Sequence, residues 1–186
     1  MKGLLILLML SSCVESVVIG TIVTGTAITQ TKKELSDRKY DDSIKKTLLN
    51  SFELENEGRH YKNINVNVFD GRIMLTGYVA EEKYKKLAVK KASIIKLGNE
   101  IIDEVIVVPT YSSHSFFNND NYLSGLVWTK LKLLKEVDSI NYDYNIVGGV
   151  VYVIGIAKSQ KELVSVTNAV ATINGVNRVV SYIKIK

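Results

Sequence analysis

The chain has 186 residues, of which 46% are apolar and 23% charged, a balance that suits a folded body and excludes wholesale disorder. A formal net charge of +5 permits an anionic partner without demanding one. One cysteine and two histidines exclude a framework of intrachain disulfides and argue against a Cys/His metal site.

The chain opens with Met1-Lys2-Gly3, a short basic stretch, followed by a wholly apolar run over residues 4–10. Small residues Ser11 and Ser12 precede the single cysteine, Cys13. This is the order of a secretory signal peptide, and the apolar run falls well short of the roughly 20 residues that span a bilayer. Leu10-Ser11-Ser12-Cys13 resembles the bacterial lipobox. That resemblance implies a signal peptide over residues 1–12, cleavage before Cys13, and acylation (palmitate among the chains) of its thiol and new amine. Each buried CH₂ contributes about 0.8 kcal/mol, so several chains hold a protein firmly. The inner-membrane retention signal, an Asp just after the cysteine, is replaced by Val14 and Glu15. By analogy the expected location is the outer membrane, facing the periplasm. Residues 13–40 read as a tether: Gly, Thr and Ala dominate 18–29, and 30–40 is polar and basic. Folded sequence is expected from Asp41.

From there one unit occurs twice, over residues 41–109 and 119–186, joined by a linker at 110–118. Asp70-Gly71-Arg72-Ile73-Met74-Leu75-Thr76-Gly77 matches Gly148-Gly149-Val150-Val151-Tyr152-Val153-Ile154-Gly155, 78 residues later. Alternating runs precede the two blocks, Ile64-Asn65-Val66-Asn67-Val68 and Ile140-Asn141-Tyr142-Asp143-Tyr144. Alternation marks a half-buried strand, and Asp-Gly or Gly-Gly between two such runs marks a hairpin. A helix is expected before each hairpin, with Ile44, Leu48 and Phe52 on the first core stripe and Leu123, Val127, Leu131 and Leu134 on the second. Asp41 and Asp120 stand where a carboxylate can cap helical N–H groups. A second helix follows each hairpin, carrying Tyr84, Leu87, Ala88, Ala92 and Ile95 in one unit and Leu163, Val166, Val170 and Ile173 in the other. Gly98 and Gly175 are expected to end these helices in the left-handed conformation. Val/Ile-rich runs over 101–108 and 176–185 close the units. The expected class is therefore α+β: two tandem αββαβ domains, each a three-stranded mixed sheet packed on two helices. The last strand should lie parallel to the strand before its crossover helix.

The paired hairpin blocks, the glycines at 98 and 175 and the Val/Ile strands that follow them resemble the BON domain. The order of lipobox, Gly-Thr tether (Val18-Ile19-Gly20-Thr21 through Gly25-Thr26) and two units resembles the dual-BON outer-membrane lipoproteins over nearly the whole chain. The resemblance implies a periplasm-facing lipoprotein that supports outer-membrane integrity. It also implies binding of anionic phospholipid by the first helix of the second unit, where the family carries Trp at the position of Tyr122.

That helix has its own signature. At 100° per residue, Tyr122, Leu126 and Leu133 form a second apolar stripe on one flank of the core stripe. Trp128 lies on the other flank, and Lys130, Lys132 and Lys135 add charge. The second unit carries 8 basic against 5 acidic residues, whereas the first is balanced at 11 and 11. Surplus apolar and aromatic residues with lysines suit a membrane interface, so Tyr122, Leu126, Trp128, Lys130 and Lys132 are the candidate lipid contacts. The rival reading packs the flank against the first unit and makes the protein an adaptor for an envelope assembly or cell-wall enzyme. Exposure of Tyr122, Leu126 and Trp128 beside Lys130 or Lys132 discriminates between the two.

Catalysis needs a poised acid–base or nucleophile constellation, and none stands out, so no enzyme, cofactor or metal is expected. His60 and His114 read as solvated loop residues, and Glu53, Glu55 and Glu57 beside Arg59 as a solvated acidic loop. Lys83, Lys85, Lys86, Lys90 and Lys91 read as a solvated helix face rather than a nucleic-acid site. Phe116 and Phe117 are expected to pack between the units.

Overall fold

The computed structural model describes residues 25–54, 58–95, 100–108 and 119–186. The signal peptide, Cys13, Gly98, His114, Phe116 and Phe117 lie outside them. In the first unit, helix α1 (Gly25–Glu53) and a one-turn helix α2 (Gly58–Tyr61) precede strands β1 (Ile64–Phe69) and β2 (Arg72–Val79), helix α3 (Glu82–Ile94) and strand β3 (Ile101–Val107). In the second, helix α4 (Asp120–Leu133) and a 3-10 turn (Ser139–Asn141) precede β4 (Tyr142–Val147), β5 (Val150–Ala157), helix α5 (Gln160–Ala171) and β6 (Arg178–Ile185). Each unit forms a three-stranded sheet in sequence order, the first pair antiparallel and the second parallel. The fold class is the expected one.

The hairpin turns follow from their residues. Asp70 and Gly71 have φ of 52° and 70°, and Gly148 and Gly149 have 58° and 76°. Two successive positive φ values make the type I′ turn, whose twist matches that of the flanking strands. Gly77 and Gly155 answer a different need. A Cβ on either would overlap the carbonyl oxygen of Asn63 or Asn141, just before the partner strand. Both glycines thus mark a close backbone approach, as expected of glycine inside a strand.

Each helix pair covers one face of its sheet. Ile44, Leu48 and Phe52 of α1 and Tyr84, Ala88 and Ala92 of α3 meet Ile73, Leu75 and Val105. In the second unit Leu123, Val127 and Leu131 of α4 and Val166 and Val170 of α5 meet Val151, Val153 and Ile183. The opposite faces of the two sheets pack against each other: Met74 and Ile102 lie with Val147, Tyr152 and Ile154 in a third buried cluster. Polar contacts frame it. Asn67 Nδ2 donates to Asp143 Oδ2 at 2.6 Å, Asn145 Nδ2 donates to Asn67 Oδ1, and the Tyr182 hydroxyl donates to Glu104. The buried Arg72 donates to Glu100 at 2.9 Å and to the Tyr182 carbonyl at 2.7 Å, and Lys184 pairs with Glu100 at 3.0 Å. The layers run helices, sheet, sheet, helices.

Several local expectations are corrected. Helix α1 begins at Gly25, well before Asp41. No Gly or Pro falls between Thr26 and Asp41, so a helix nucleated by the docked stretch around Ile44 to Phe52 continues upstream. Asp41 and Asp120 do not cap helices. Their carboxylates accept the N–H groups of Asp70 and Gly71, and of Gly148 and Gly149, at 2.8–2.9 Å. Ile140 and Asn141 belong to the 3-10 turn, and the strand starts at Tyr142. Helix α5 ends at Thr172 in right-handed geometry. Gly175 (φ +97°) sits beyond it, in a turn closed by the Val176 N–H to the Ile173 carbonyl. Leu87 is 37% exposed, outside the core. Lys85 and Lys91 reach the Val105 and Ser51 carbonyls rather than solvent alone. His60 is no free loop residue: it is half-buried, with its ring stacked on Tyr84 at 3.8 Å.

Candidate functional site

Helix α4 is tied down at two points in its N-terminal half. Asp120, its first residue, binds the β4–β5 turn through two N–H groups, and Tyr144 donates its hydroxyl to the Ser124 carbonyl at 2.8 Å. Burial raises the Tyr144 phenol above its ordinary pKa, and its bond to Ser124 opposes that shift. With Leu123, Val127 and Leu131 buried, the helix is fixed in rotation and presents one definite face outward.

On that face Tyr122 is 70% exposed, Trp128 58% and Leu133 74%. Lys130 and Lys132 are exposed with them, and the Lys132 ammonium stands 5.8 Å from the Trp128 ring centre. Tyr122 and Trp128 stand about 120° apart at 100° per residue, with Gly125, Thr129 and Lys132 between them. A Cβ at Gly125 would touch nothing within 4 Å, so none of the described residues covers the helix at that point. The helix's only acidic residue, Asp120, is turned to the hairpin. The outer arc is therefore aromatic, aliphatic and basic, without a carboxylate of its own.

The candidates do not all fall on this arc. Leu126 is half-buried and packs against the second unit's core, so it supports the helix rather than projecting from it. Leu133 is the large apolar residue that does project. It shares the flank of Tyr122 and Leu126, and the sequence marked it as a stripe member but not as a contact. Tyr122 and Leu133 on this flank stay exposed, and among the described residues the units pack chiefly through their sheets.

Beside Trp128 a groove of about 360 Å³ opens between α4 and the start of β4, lined by Trp128, Lys132, Ser139, Ile140 and Asp143 among others. Ile140 is 50% exposed. The groove has one partner that the sequence did not signal: Arg38 of α1 donates from Nη2 to the Ile140 carbonyl at 3.3 Å. Among the described residues no group of His, Cys, Asp or Glu is placed to hold a metal, and no helix is long and apolar enough to cross a membrane.

Taken together, the fold defines a tandem-repeat α+β protein whose units join sheet to sheet and whose fourth helix shows an aromatic and basic face. The BON domain matches residues 40–109 and again 119–186, and the chain belongs to the BON-domain family. It is 33% identical over 126 residues, covering 68% of this chain and 83% of the relative, to an uncharacterized protein in the gshII 5′ region of Anaplasma centrale. It is 24% identical over 178 residues, covering 94% of this chain and 89% of the relative, to the outer membrane lipoprotein DolP of Haemophilus influenzae. Among solved structures, CdsD of the Chlamydia trachomatis type III secretion system superimposes with a TM-score of 0.32 and 10% identity, over 69% of this chain and 88% of that one. A score that low says nothing about role.

Proposed function

We propose that the protein is a non-catalytic lipoprotein of the bacterial envelope, anchored in the outer membrane through acylated Cys13 and facing the periplasm. Its second BON domain binds anionic phospholipid through α4 and so supports outer-membrane integrity. The observation that carries the lipid reading is the exposed, carboxylate-free arc of Tyr122, Trp128 and Leu133 beside Lys130 and Lys132. The likeness to an outer membrane lipoprotein over nearly the whole chain supports the anchor and the location.

Lysines near an anionic surface contribute about 1 kcal/mol each, and salt screens them. A buried large apolar side chain adds about 1.5–3 kcal/mol that salt does not screen. The test is co-sedimentation of the unacylated chain, residues 14–186, with vesicles of phosphatidylcholine alone and of phosphatidylcholine with phosphatidylglycerol. Binding is expected to favour the mixed vesicles. Lys132→Glu should weaken it most at low salt, and Leu133→Glu at every salt concentration. Equal binding to both vesicle types, or none, would move the protein to the adaptor reading, in which the same face docks an envelope protein.

The anchor has a separate test. Cys13→Ser should leave the protein soluble or unprocessed, and normal membrane fractionation of that variant would refute acylation at Cys13.

A further inference from the structure

We infer that Arg38, on the first unit's α1, completes the lipid site of the second unit, so that a phospholipid phosphate is held in a groove shared by both units. The inference rests on the lipid reading above and extends it to a residue of the other domain.

Among the described side chains of α1, Ile44, Leu48 and Phe52 are the ones buried in the first unit's core. Upstream on the same helix, Arg38 meets the carbonyl of Ile140, a residue that lines the groove beside Trp128. A guanidinium has five N–H donors, and a single main-chain carbonyl takes one of them at 3.3 Å without neutralising the charge. Among the described residues no carboxylate pairs with Arg38 or Lys132. The groove's own carboxylate, Asp143, keeps its charge but directs both oxygens to neutral donors, Oδ2 to Asn67 at 2.6 Å and Oδ1 to the Tyr144 N–H at 2.9 Å, so an anion needs both Lys132 and Arg38 to outweigh it. Lys132 thus lines the groove and Arg38 stands at its edge on the Ile140 carbonyl, beside the exposed Trp128 and Ile140. A phosphodiester between the cations, with its glycerol and upper acyl carbons on Trp128 and Ile140, satisfies both kinds of surface. Arginine suits the position because its planar fork matches phosphate oxygens.

Trp128 is the chain's single tryptophan, so its fluorescence reads the groove directly. The experiment titrates the unacylated two-unit chain with the same two vesicle types and follows sedimentation and Trp128 emission together. Arg38→Ala is expected to weaken binding to the mixed vesicles about fivefold and to reduce the blue shift of Trp128. Arg38→Lys should retain part of both. Lys86→Ala, an exposed charge on α3 of the first unit, should change neither. If the native chain prefers mixed vesicles but Arg38→Ala behaves like Lys86→Ala, the two-unit groove is overturned and the lipid reading stands. If the native chain shows no preference for the mixed vesicles, the lipid reading falls and the inference falls with it.

Discussion

Asp41 and Asp120 perform the same task in the two units: each carboxylate gathers the two N–H groups that a type I′ turn leaves pointing outward. A helix is thereby tied to the far end of the hairpin it covers, through main-chain donors that any turn residue supplies. Burial raises the Asp41 carboxyl above its ordinary pKa, while the two N–H bonds favour its charged form and oppose that shift. The clamp is therefore held in tension between desolvation and hydrogen bonding. In the second unit both turn residues, Gly148 and Gly149, are buried, so removing the clamp there strands buried donors, and an unsatisfied buried polar group costs about 1–3 kcal/mol. Asp120→Ala should lower the unfolding free energy by about 1–3 kcal/mol, measured by urea denaturation. Asp120→Asn should recover part of the loss, since its amide oxygen still accepts. An alanine variant as stable as the native chain would show that the turn needs no clamp.

At the scale of elements, the repeat was legible because its strongest signals are local. The turn pairs Asp70-Gly71 and Gly148-Gly149, the strand glycines Gly77 and Gly155 and the helical stripes recur at nearly one spacing. The interface between the units was also written in the sequence, but in a form that alternation does not reveal. Ile73-Met74-Leu75 and Val151-Tyr152-Val153-Ile154 are continuous apolar runs, the mark of strands buried on both faces. Reading only one face of each sheet left helix flanks and Phe116 or Phe117 as the apparent joint. The S-x-x-E signature at Ser159 and Glu162 was equally available. Ser159 accepts the Glu162 N–H at 3.2 Å, and Glu162 accepts the Lys158 N–H and the Tyr142 hydroxyl at 2.8 Å, close to a capping box. The exposure of Tyr122 and Trp128 was legible, because surplus apolar residues beside the core stripe must project somewhere, and that of Lys130 and Lys132 followed from their charge. Leu126 failed because its angle lies near the core edge, where packing rather than periodicity decides exposure. Arg38 could not be found at all, since it joins the site through a contact 102 residues apart in sequence.

For the whole molecule, the joint between sheets decides which surfaces are free. With Met74, Ile102, Val147, Tyr152 and Ile154 buried between the sheets, the helices are left on the two outer sides, and α4 faces outward. Each fully buried large apolar side chain contributes about 1.5–3 kcal/mol, so the joint is a third core rather than a loose contact. An isolated unit would expose that apolar face, which makes the intact two-unit chain the proper object for binding measurements. The alternation along β2 also separates the two cores: Ile73 and Leu75 point to the first unit's helices, and Met74 points to the second sheet. Met74→Asp therefore places a carboxylate between the sheets, where burial of an unpaired charge costs several kcal/mol. The first unit keeps its own core, and parting of the sheets hydrates the charge at once. The expected outcome is a larger radius of gyration by small-angle scattering and a thermal unfolding curve that separates into two transitions. Ile73→Asp strikes the first unit's core instead and should unfold that unit while the second persists. A Met74→Asp chain with native dimensions and one native-like transition would show that something other than the sheet faces holds the units together. In the parted chain Arg38 would also lose its place beside Ile140, so Met74→Asp should reproduce the Arg38→Ala loss in vesicle binding even though every residue of the groove is still present.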